Sequence, residues 1–238
     1  MVGASSKMKR VLVVSKADSS GVVSLLKNGG FEVVDVNPDF VVCFGGDGTV
    51  LFGERSFPGV PKLVVKTSSV CRRYDYVLDE LVEVLGRIRK GDFELVEEMK
   101  LVGEAVGVLL VGLNEVQVHL KLPFSALRFG VSVGGKEFRN LIGDGVVVST
   151  PFGSSGYYAA TGGERFERGI GVSFNNLHKR KVESFVVSED SVVELSISRG
   201  PAWFLADNDE RFVELNAGDS ATVRKADDMA RFICVSGR

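Results

Sequence analysis

Over its first 92 residues the chain alternates apolar runs with segments of helical periodicity. Short apolar runs predict buried strands at residues 10–15, 31–36, 39–44 and 62–66. Apolar residues spaced three or four positions apart, with turn residues at the ends, predict helices at residues 19–27, 49–57 and 76–90. Strands that alternate with helices predict a parallel sheet covered on both faces. Residues 1–92 are therefore predicted to form an α/β domain.

From about residue 93 the pattern changes to short alternating segments separated by turns. Strands are predicted at residues 93–96, 100–105, 107–111, 115–122, 126–133, 145–149, 184–187, 191–198, 202–205, 211–215 and 220–224. Gly134-Gly135 indicates a hairpin turn between two of them. This pattern predicts an all-β domain of the sandwich type over residues 93–229. The apolar run in residues 230–238 is a candidate strand that would return to the first domain.

Composition and charge narrow the class of protein. Of 238 residues, 45% are hydrophobic and 25% are charged, which is ordinary for a folded domain. Since 29 basic and 31 acidic side chains nearly balance, no nucleic-acid-binding surface is expected. No apolar run approaches the roughly 20 residues of a membrane helix, and the N-terminus lacks the apolar core of a signal peptide. The three cysteines show no metal-site spacing, which favours a reducing, cytoplasmic compartment.

The segment Gly45-Gly46-Asp47-Gly48-Thr49 carries the most chemical information. It follows a buried strand and places one acid among three glycines. Glycines let a backbone approach a ligand closely, and amides at such a turn can face phosphate oxygens. The acid is placed to take a proton from a hydroxyl, so the combination indicates phosphoryl transfer. The alternative is a tight strand-to-helix turn in which Asp47 only caps the helix.

A second segment, residues 144–163, has the same character. A buried strand after Asp144 ends in a loop of small hydroxylated residues and glycines that includes Tyr157, and Gly162-Gly163 follows. Small residues would let a ligand reach the backbone, and a tyrosine ring can stack on a base. The alternative is a turn-rich loop that closes the β domain.

Together these segments resemble the NAD kinases. The turn around Asp47 is similar to the first signature of that family, and residues 144–163 resemble its second signature. Asn114-Glu115 falls where the family has an Asn-acid pair, and the hairpin with Asp207 resembles the family's C-terminal part. Lipid kinases and phosphofructokinases share the first motif, whereas the two motifs in this order are more specific. The resemblance spans nearly the whole chain and implies the α/β plus β-sandwich fold of that family.

The resemblance implies a reaction and a role for Asp47. The γ-phosphate of ATP would pass to the 2′-hydroxyl of the adenosine ribose of NAD, giving NADP. Asp47 would accept the proton of that hydroxyl. The turn residues would make room for the phosphates and contact the nucleotide; they are Gly45, Gly46, Gly48 and Thr49.

The other implied site residues lie in the predicted β domain. Asn114 and Glu115 would hold the adenosine of the substrate. The adenine pocket would be lined by Ser155, Gly156 and Tyr157. Asp144 would face the second nucleoside of the dinucleotide, a contact that lies near a subunit interface in family members.

Cofactors and partners also follow from the resemblance. Mg²⁺ would be carried by the nucleotide phosphates, so no protein metal site is expected. NAD and ATP would be the small-molecule substrates. A homo-oligomer, dimer or tetramer, is expected, with no nucleic-acid or membrane partner.

The chain departs from the family pattern at several positions. Phe52 and Ile142 stand where family members often carry a basic residue, and the segment Lys66–Arg73 replaces an Asn-x-Gly and Leu-Gly-Phe stretch. Lys66, Arg72 and Arg73 would either contact phosphates or belong to a solvated surface loop. These departures keep two alternatives open: a kinase of the same fold acting on a sugar, polyol or nucleoside, and a non-catalytic nucleotide-binding module.

Overall fold

The protein consists of two compact units. The structure, a computed structural model, describes residues 8–67, 74–179 and 181–235. By contact density the first unit comprises residues 1–98 and 229–238, and the second comprises residues 99–228. The chain passes from the first unit to the second within one strand and returns within another. The domain boundaries predicted at residues 92 and 229 stay a prediction.

The first unit is an α/β layer structure. Its elements are β1 (Arg10–Ser15), α1 (Ser20–Asn28), β2 (Glu32–Val33), β3 (Phe40–Gly45), α2 (Asp47–Ser56), β4 (Lys62–Lys66), β5 (Asp75–Tyr76) and α3 (Leu81–Lys90). Its sheet has the strand order β2-β1-β3-β4, all parallel. Both β5 and the end of the last strand of the chain (Ser220–Cys234) pair with β4.

The second unit is built almost entirely from strands. Its elements are β6 (Glu94–Ala105, which begins in the first unit), β7 (Val108–Gly112), β8 (Glu115–Leu120), β9 (Leu127–Val133), β10 (Lys136–Gly143), β11 (Gly145–Ser149), α4 (Tyr157–Ala160), β12 (Ile170–Asn175), β13 (Phe185–Val187), β14 (Val193–Arg199), β15 (Ala202–Ala206), β16 (Phe212–Leu215) and β17 (Ser220–Cys234, which ends in the first unit).

Two sheets face each other in the second unit. One has the order β13-β12-β11-β8-β15-β16, and the other contains β10, β9, β14, β17, β6 and β7. Gly103 on β6 lies so close to Phe204 and Val116 of the opposite sheet that an added Cβ would come within 2.5 Å of the Phe204 ring. At the other end, the Phe138 ring on β10 is 5.6 Å from the Phe174 ring on β12. The predicted fold class, α/β followed by an all-β sandwich, is confirmed.

Several predicted elements differ from those observed. The helix predicted over residues 76–90 begins only at Leu81, because Tyr76 belongs to β5 and its buried hydroxyl accepts a hydrogen bond from the Val235 amide. Residues 93–96 and 100–105 form one strand, β6, as do residues 220–224 and 230–234 in β17. Charged side chains in the middle of these strands interrupt the apolar pattern. The pair Lys100 and Asp228, for example, joins β6 to β17 through a salt bridge.

Strand β12 was not predicted at all. It lies between β11 and β13 and is buried along nearly its whole length. Gly171 in its middle is required by packing, because an added Cβ would come within 2.7 Å of the Tyr158 and Phe166 rings. This glycine and Ser173 break the apolar run that would otherwise have indicated a strand.

A buried ion pair fixes helix α2 to the sheet. Lys62 at the start of β4 is fully buried, and its ammonium donates to the Glu54 carboxylate on α2 and to the Phe57 carbonyl at 2.7 Å. The Gly59 amide also donates to Glu54, at 3.3 Å. Beside this pair, burial raises the pKa of the Cys43 thiol to about 12. The Glu54–Lys62 pair thus fixes the C-terminal end of α2 to the sheet, whereas Asp47 lies at the N-terminal end of this helix.

No helix within residues 8–67, 74–179 and 181–235 is both long and apolar enough to cross a membrane.

We predict that breaking the Glu54–Lys62 pair on one side is costly. Lys62→Met removes the ammonium that faces a buried carboxylate, and should lower the free energy of unfolding by about 3–5 kcal/mol. The double variant Glu54→Leu, Lys62→Met removes both charges and should regain most of that loss. Urea unfolding measures both. A Lys62→Met protein within about 1 kcal/mol of wild type would contradict this role of the pair.

Candidate functional site

The Asp47 turn joins a buried strand to a helix. Every residue of β3 is buried, and α2 begins at Asp47 directly after the Gly45-Gly46 pair. The Gly46 backbone is extended, and its carbonyl accepts the amide of Thr49 at 2.9 Å. Asp47 is half-buried and lies in the first turn of α2, where the amide groups of a helix give a positive potential. A carboxylate is thereby presented at the carboxyl end of a parallel strand.

This turn has no room for a side chain at Gly45. An added Cβ would lie 2.2 Å from Oγ1 and 2.9 Å from Cβ of Thr49, which is itself buried. Farther along α2, an added Cβ at Gly53 would lie 2.6 Å from Sγ of Cys43 on β3. Helix α2 therefore lies unusually close to β3, and this packing sets where Asp47 stands.

The basic residues near this turn are only partly described. Lys66 at the end of β4 forms a salt bridge with Asp75, with its Nζ 2.9 Å from Oδ2. Arg55 lies over the Phe52 ring at 5.5 Å, and that ring is 44% exposed. Arg72 and Arg73, predicted either to contact phosphates or to belong to a solvated surface loop, lie outside the described residues.

In the second unit, Asn114 and Glu115 form a corner between β7 and β8. Glu115 opens β8 and is buried, whereas Asn114 is half-buried. The Asn114 carbonyl accepts the Thr150 amide at 2.9 Å, and the Thr150 hydroxyl donates to the Leu113 carbonyl at 2.6 Å. The corner is thus fastened to the loop that follows β11.

That loop approaches the corner through Gly153. An added Cβ at Gly153 would lie 2.2 Å from the carbonyl oxygen and 2.5 Å from Cα of Asn114. The Gly153 amide is held by the Thr150 hydroxyl at 3.0 Å. Ser155, Gly156 and Tyr157 follow after Ser154, and Tyr157 is 60% exposed. The structure therefore groups the predicted Asn-acid pair with the predicted adenine-pocket loop.

Asp144 does not join this group within the chain. Strand β11 separates it from the loop, and β11 pairs with β8 so that Ser149 faces Glu115 while Gly145 faces His119. Five residues of strand put Asp144 about 17 Å from the corner. Its carboxylate instead accepts the Asn176 side-chain amide at 3.0 Å. A contact between Asp144 and the second nucleoside of the dinucleotide stays a prediction.

A cavity beside α4 is distinct from these groups. It has a volume of about 960 Å³ and is lined in part by Tyr158, Thr161, Phe166 and Phe185. Tyr158, unlike its exposed neighbour Tyr157, is buried, and burial raises the pKa of its hydroxyl. Among the described residues that line this cavity, none is a predicted site residue.

Comparison with known proteins decides the family. The family model of the ATP-NAD kinase C-terminal domain matches residues 113–235, more than half of this chain. The chain belongs to the NAD kinase family. That prediction is confirmed.

Relatives and solved structures agree with this NAD kinase assignment. An NAD kinase of Thermoplasma acidophilum is 27% identical over 213 residues, which are 87% of this chain and 78% of that protein. One of Saccharolobus islandicus is 37% identical over 154 residues, 62% of this chain and 60% of that protein. Yeast NADH kinase complexed with NADH superposes with a TM-score of 0.87 at 14% identity, covering 97% of this chain and 84% of that one. An Archaeoglobus fulgidus NAD kinase in complex with ATP superposes with a TM-score of 0.80 at 24% identity, covering 95% of this chain and 94% of that one.

Residues that the sequence patterns did not single out also shape the site. Thr150 and Gly153 were seen only as part of a loop, yet they hold the backbone of Asn114. For Asp207 the sequence predicts only a place in a hairpin that resembles the family's C-terminal part, yet its carboxylate contacts this same corner. The turn position of Asp207 was visible in the sequence, whereas a contact across more than 90 residues was not.

We predict that Gly153→Ala disturbs the corner. The new methyl group would meet backbone atoms of Asn114, which cannot move without shifting β8, so the free energy of unfolding should fall by about 1–3 kcal/mol. Gly86→Ala is the control, because an added Cβ there meets nothing within 4 Å and alanine favours a helix. The free energy of unfolding, measured with urea, should fall for Gly153→Ala and rise for Gly86→Ala. Equal stability of Gly153→Ala and wild type would contradict the close approach.

Proposed function

We propose that this chain transfers the γ-phosphate of ATP to the 2′-hydroxyl of the adenosine ribose of NAD, giving NADP. Membership of the NAD kinase family supports a phosphotransferase that acts on a hydroxyl group. The observation that carries the proposal is Asp47, a half-buried carboxylate at the start of α2 in a turn whose first glycine has no space for a side chain.

Asp47 would supply general-base assistance. A ribose hydroxyl is a poor nucleophile, and a carboxylate within hydrogen-bond reach can accept its proton as the oxygen attacks. The bond between the 2′-oxygen and the γ-phosphorus forms while the bond to the β–γ bridging oxygen breaks. ADP leaves with that electron pair. The amides at the start of α2 favour negative charge, so they would steady the phosphate oxygens during transfer.

The corner and its loop would bind the substrate. Asn114 and Glu115 offer a side-chain amide and a carboxylate, the groups that recognise ribose hydroxyls and base edges. Tyr157 offers an exposed ring on which adenine could stack. The rigid backbone beneath them would hold these groups in one arrangement.

The residues present fit Mg²⁺ delivered with the nucleotide. The described part of the chain contains no group of three or more His, Cys, Asp or Glu side chains arranged to hold a metal ion. Mg²⁺ in kinases is held largely by the substrate phosphates. When bound, the ion would neutralise phosphate charge. The predicted homo-oligomer and cytoplasmic location stay predictions.

We predict that the wild-type protein forms NADP from NAD, ATP and Mg²⁺, and that Asp47→Asn lowers kcat by about 10²–10⁴-fold. The amide cannot accept the proton, but it retains the shape of the side chain, so ATP affinity should change little. An NADP-specific dehydrogenase detects the product, and calorimetry measures ATP binding. Glu83→Gln, an exposed carboxylate of α3, is the control.

The outcomes separate the alternatives. An Asp47→Asn protein that keeps more than a tenth of wild-type kcat would refute Asp47 as the base. Wild-type protein that phosphorylates a sugar, polyol or nucleoside but not NAD would select a kinase with another acceptor. ATP binding with no turnover of any alcohol would select a non-catalytic module.

A further inference from the structure

The carboxylate of Asp207 accepts hydrogen bonds from three backbone amides of the Asn114 corner. Its Oδ2 accepts the Leu113 amide at 2.7 Å, and its Oδ1 accepts the amides of Asn114 at 2.8 Å and Glu115 at 3.1 Å. Three successive N–H groups pointing at one place form a concave anion site. In this chain an internal carboxylate fills it.

The fold delivers Asp207 to this position by register. Strand β15 pairs with β8 so that Ala206 faces Val116, and Asp207 is the next residue along. The Asp207 amide also donates to the Glu115 carbonyl at 3.0 Å, so Asp207 both donates to and accepts from Glu115. Its φ of +47° places it in the left-handed region, which aspartate tolerates better than most residues.

Close packing keeps the carboxylate on the corner. An added Cβ at Gly112 would lie 2.4 Å from the Glu115 carbonyl oxygen and 3.2 Å from Oδ1 of Asp207. The carbonyl groups of Leu113 and Asn114 are held on the other side by Thr150. The amides of the corner thus face Asp207, and two of its carbonyls face the loop after β11. The backbone that carries the Asn114 and Glu115 side chains is thereby held in one arrangement.

We propose that Asp207 is a positioning residue that also excludes anions from the Asn114 corner. It orients Asn114 and Glu115, and its carboxylate binds backbone amides that would otherwise attract a phosphate. The corner is thereby selective for an uncharged part of the substrate, such as the ribose and base of a nucleoside. This inference rests on the proposed function, because it assigns these two side chains to the NAD substrate.

The test is a kinetic comparison of Asp207 variants. Asp207→Ala should raise KM for NAD at least about tenfold, the factor that corresponds to 1.4 kcal/mol, with a smaller change in KM for ATP. Formate should restore part of the NAD affinity, because it can occupy the vacated amides. Sulfate should inhibit this variant more strongly than wild type. Asp219→Ala is the control, since Asp219 lies in the next turn, between β16 and β17, where it accepts the Asn216 amide at 2.7 Å.

Each outcome bears on the proposal. If Asp207→Ala does not fold, Asp207→Asn decides: its amide nitrogen cannot accept an N–H, so KM for NAD should still rise several-fold. An unchanged KM for NAD in a folded variant would overturn the proposal. An equal rise of KM for NAD and KM for ATP, with no effect of formate, would also overturn the proposal, because a purely structural role of Asp207 predicts that result. Failure of the proposed function shows separately, as absence of NADP formation by wild type.

Discussion

Close packing of other residues against glycine backbone is the constraint on which both candidate groups depend. Gly45 lies against Thr49, Gly53 against Cys43, and Gly153 against Asn114, each at a distance that admits no Cβ. Where two segments approach this closely, neither can shift without the other, so the polar groups beside them keep fixed positions. The Asp47 turn and the Asn114 corner are both built in this way.

Contacts of charged side chains then hold each group in place. The buried Glu54–Lys62 pair holds the far end of the helix that begins at Asp47, and the Asp207 carboxylate holds three amides of the Asn114 corner. A buried pair stabilises less than its attraction indicates, because both charges lose water. Its contribution here is one defined arrangement of α2 on the sheet. The glycines allow the close approach, and the ionic contacts select one geometry within it.

The sequence allowed much of this to be predicted, for identifiable reasons. Buried parallel strands such as β3 and β4 give continuous apolar runs, and a glycine-acid-glycine turn is local, so Asp47 could be located without the fold. The fold class followed from the change of pattern near residue 93. What escaped prediction depends on distant contacts. Gly171, which makes room for two aromatic rings, interrupts the apolar pattern of β12, and Tyr76 leaves the helical pattern to pair as a strand. The roles of Asp207, Thr150 and Gly153 arise only when strands far apart in the chain are paired.

The proposed role of Asp47 requires its carboxylate to contact the 2′-hydroxyl of the adenosine ribose. A crystal structure of the protein with NAD and a non-hydrolysable ATP analogue would measure this contact. We predict a carboxylate oxygen of Asp47 about 2.6–3.2 Å from the 2′-oxygen, or joined to it through one water, with the 2′-oxygen facing the γ-phosphorus. A complex in which the 3′-hydroxyl or another alcohol occupies that place, or in which Asp47 points away from the ribose, would contradict it.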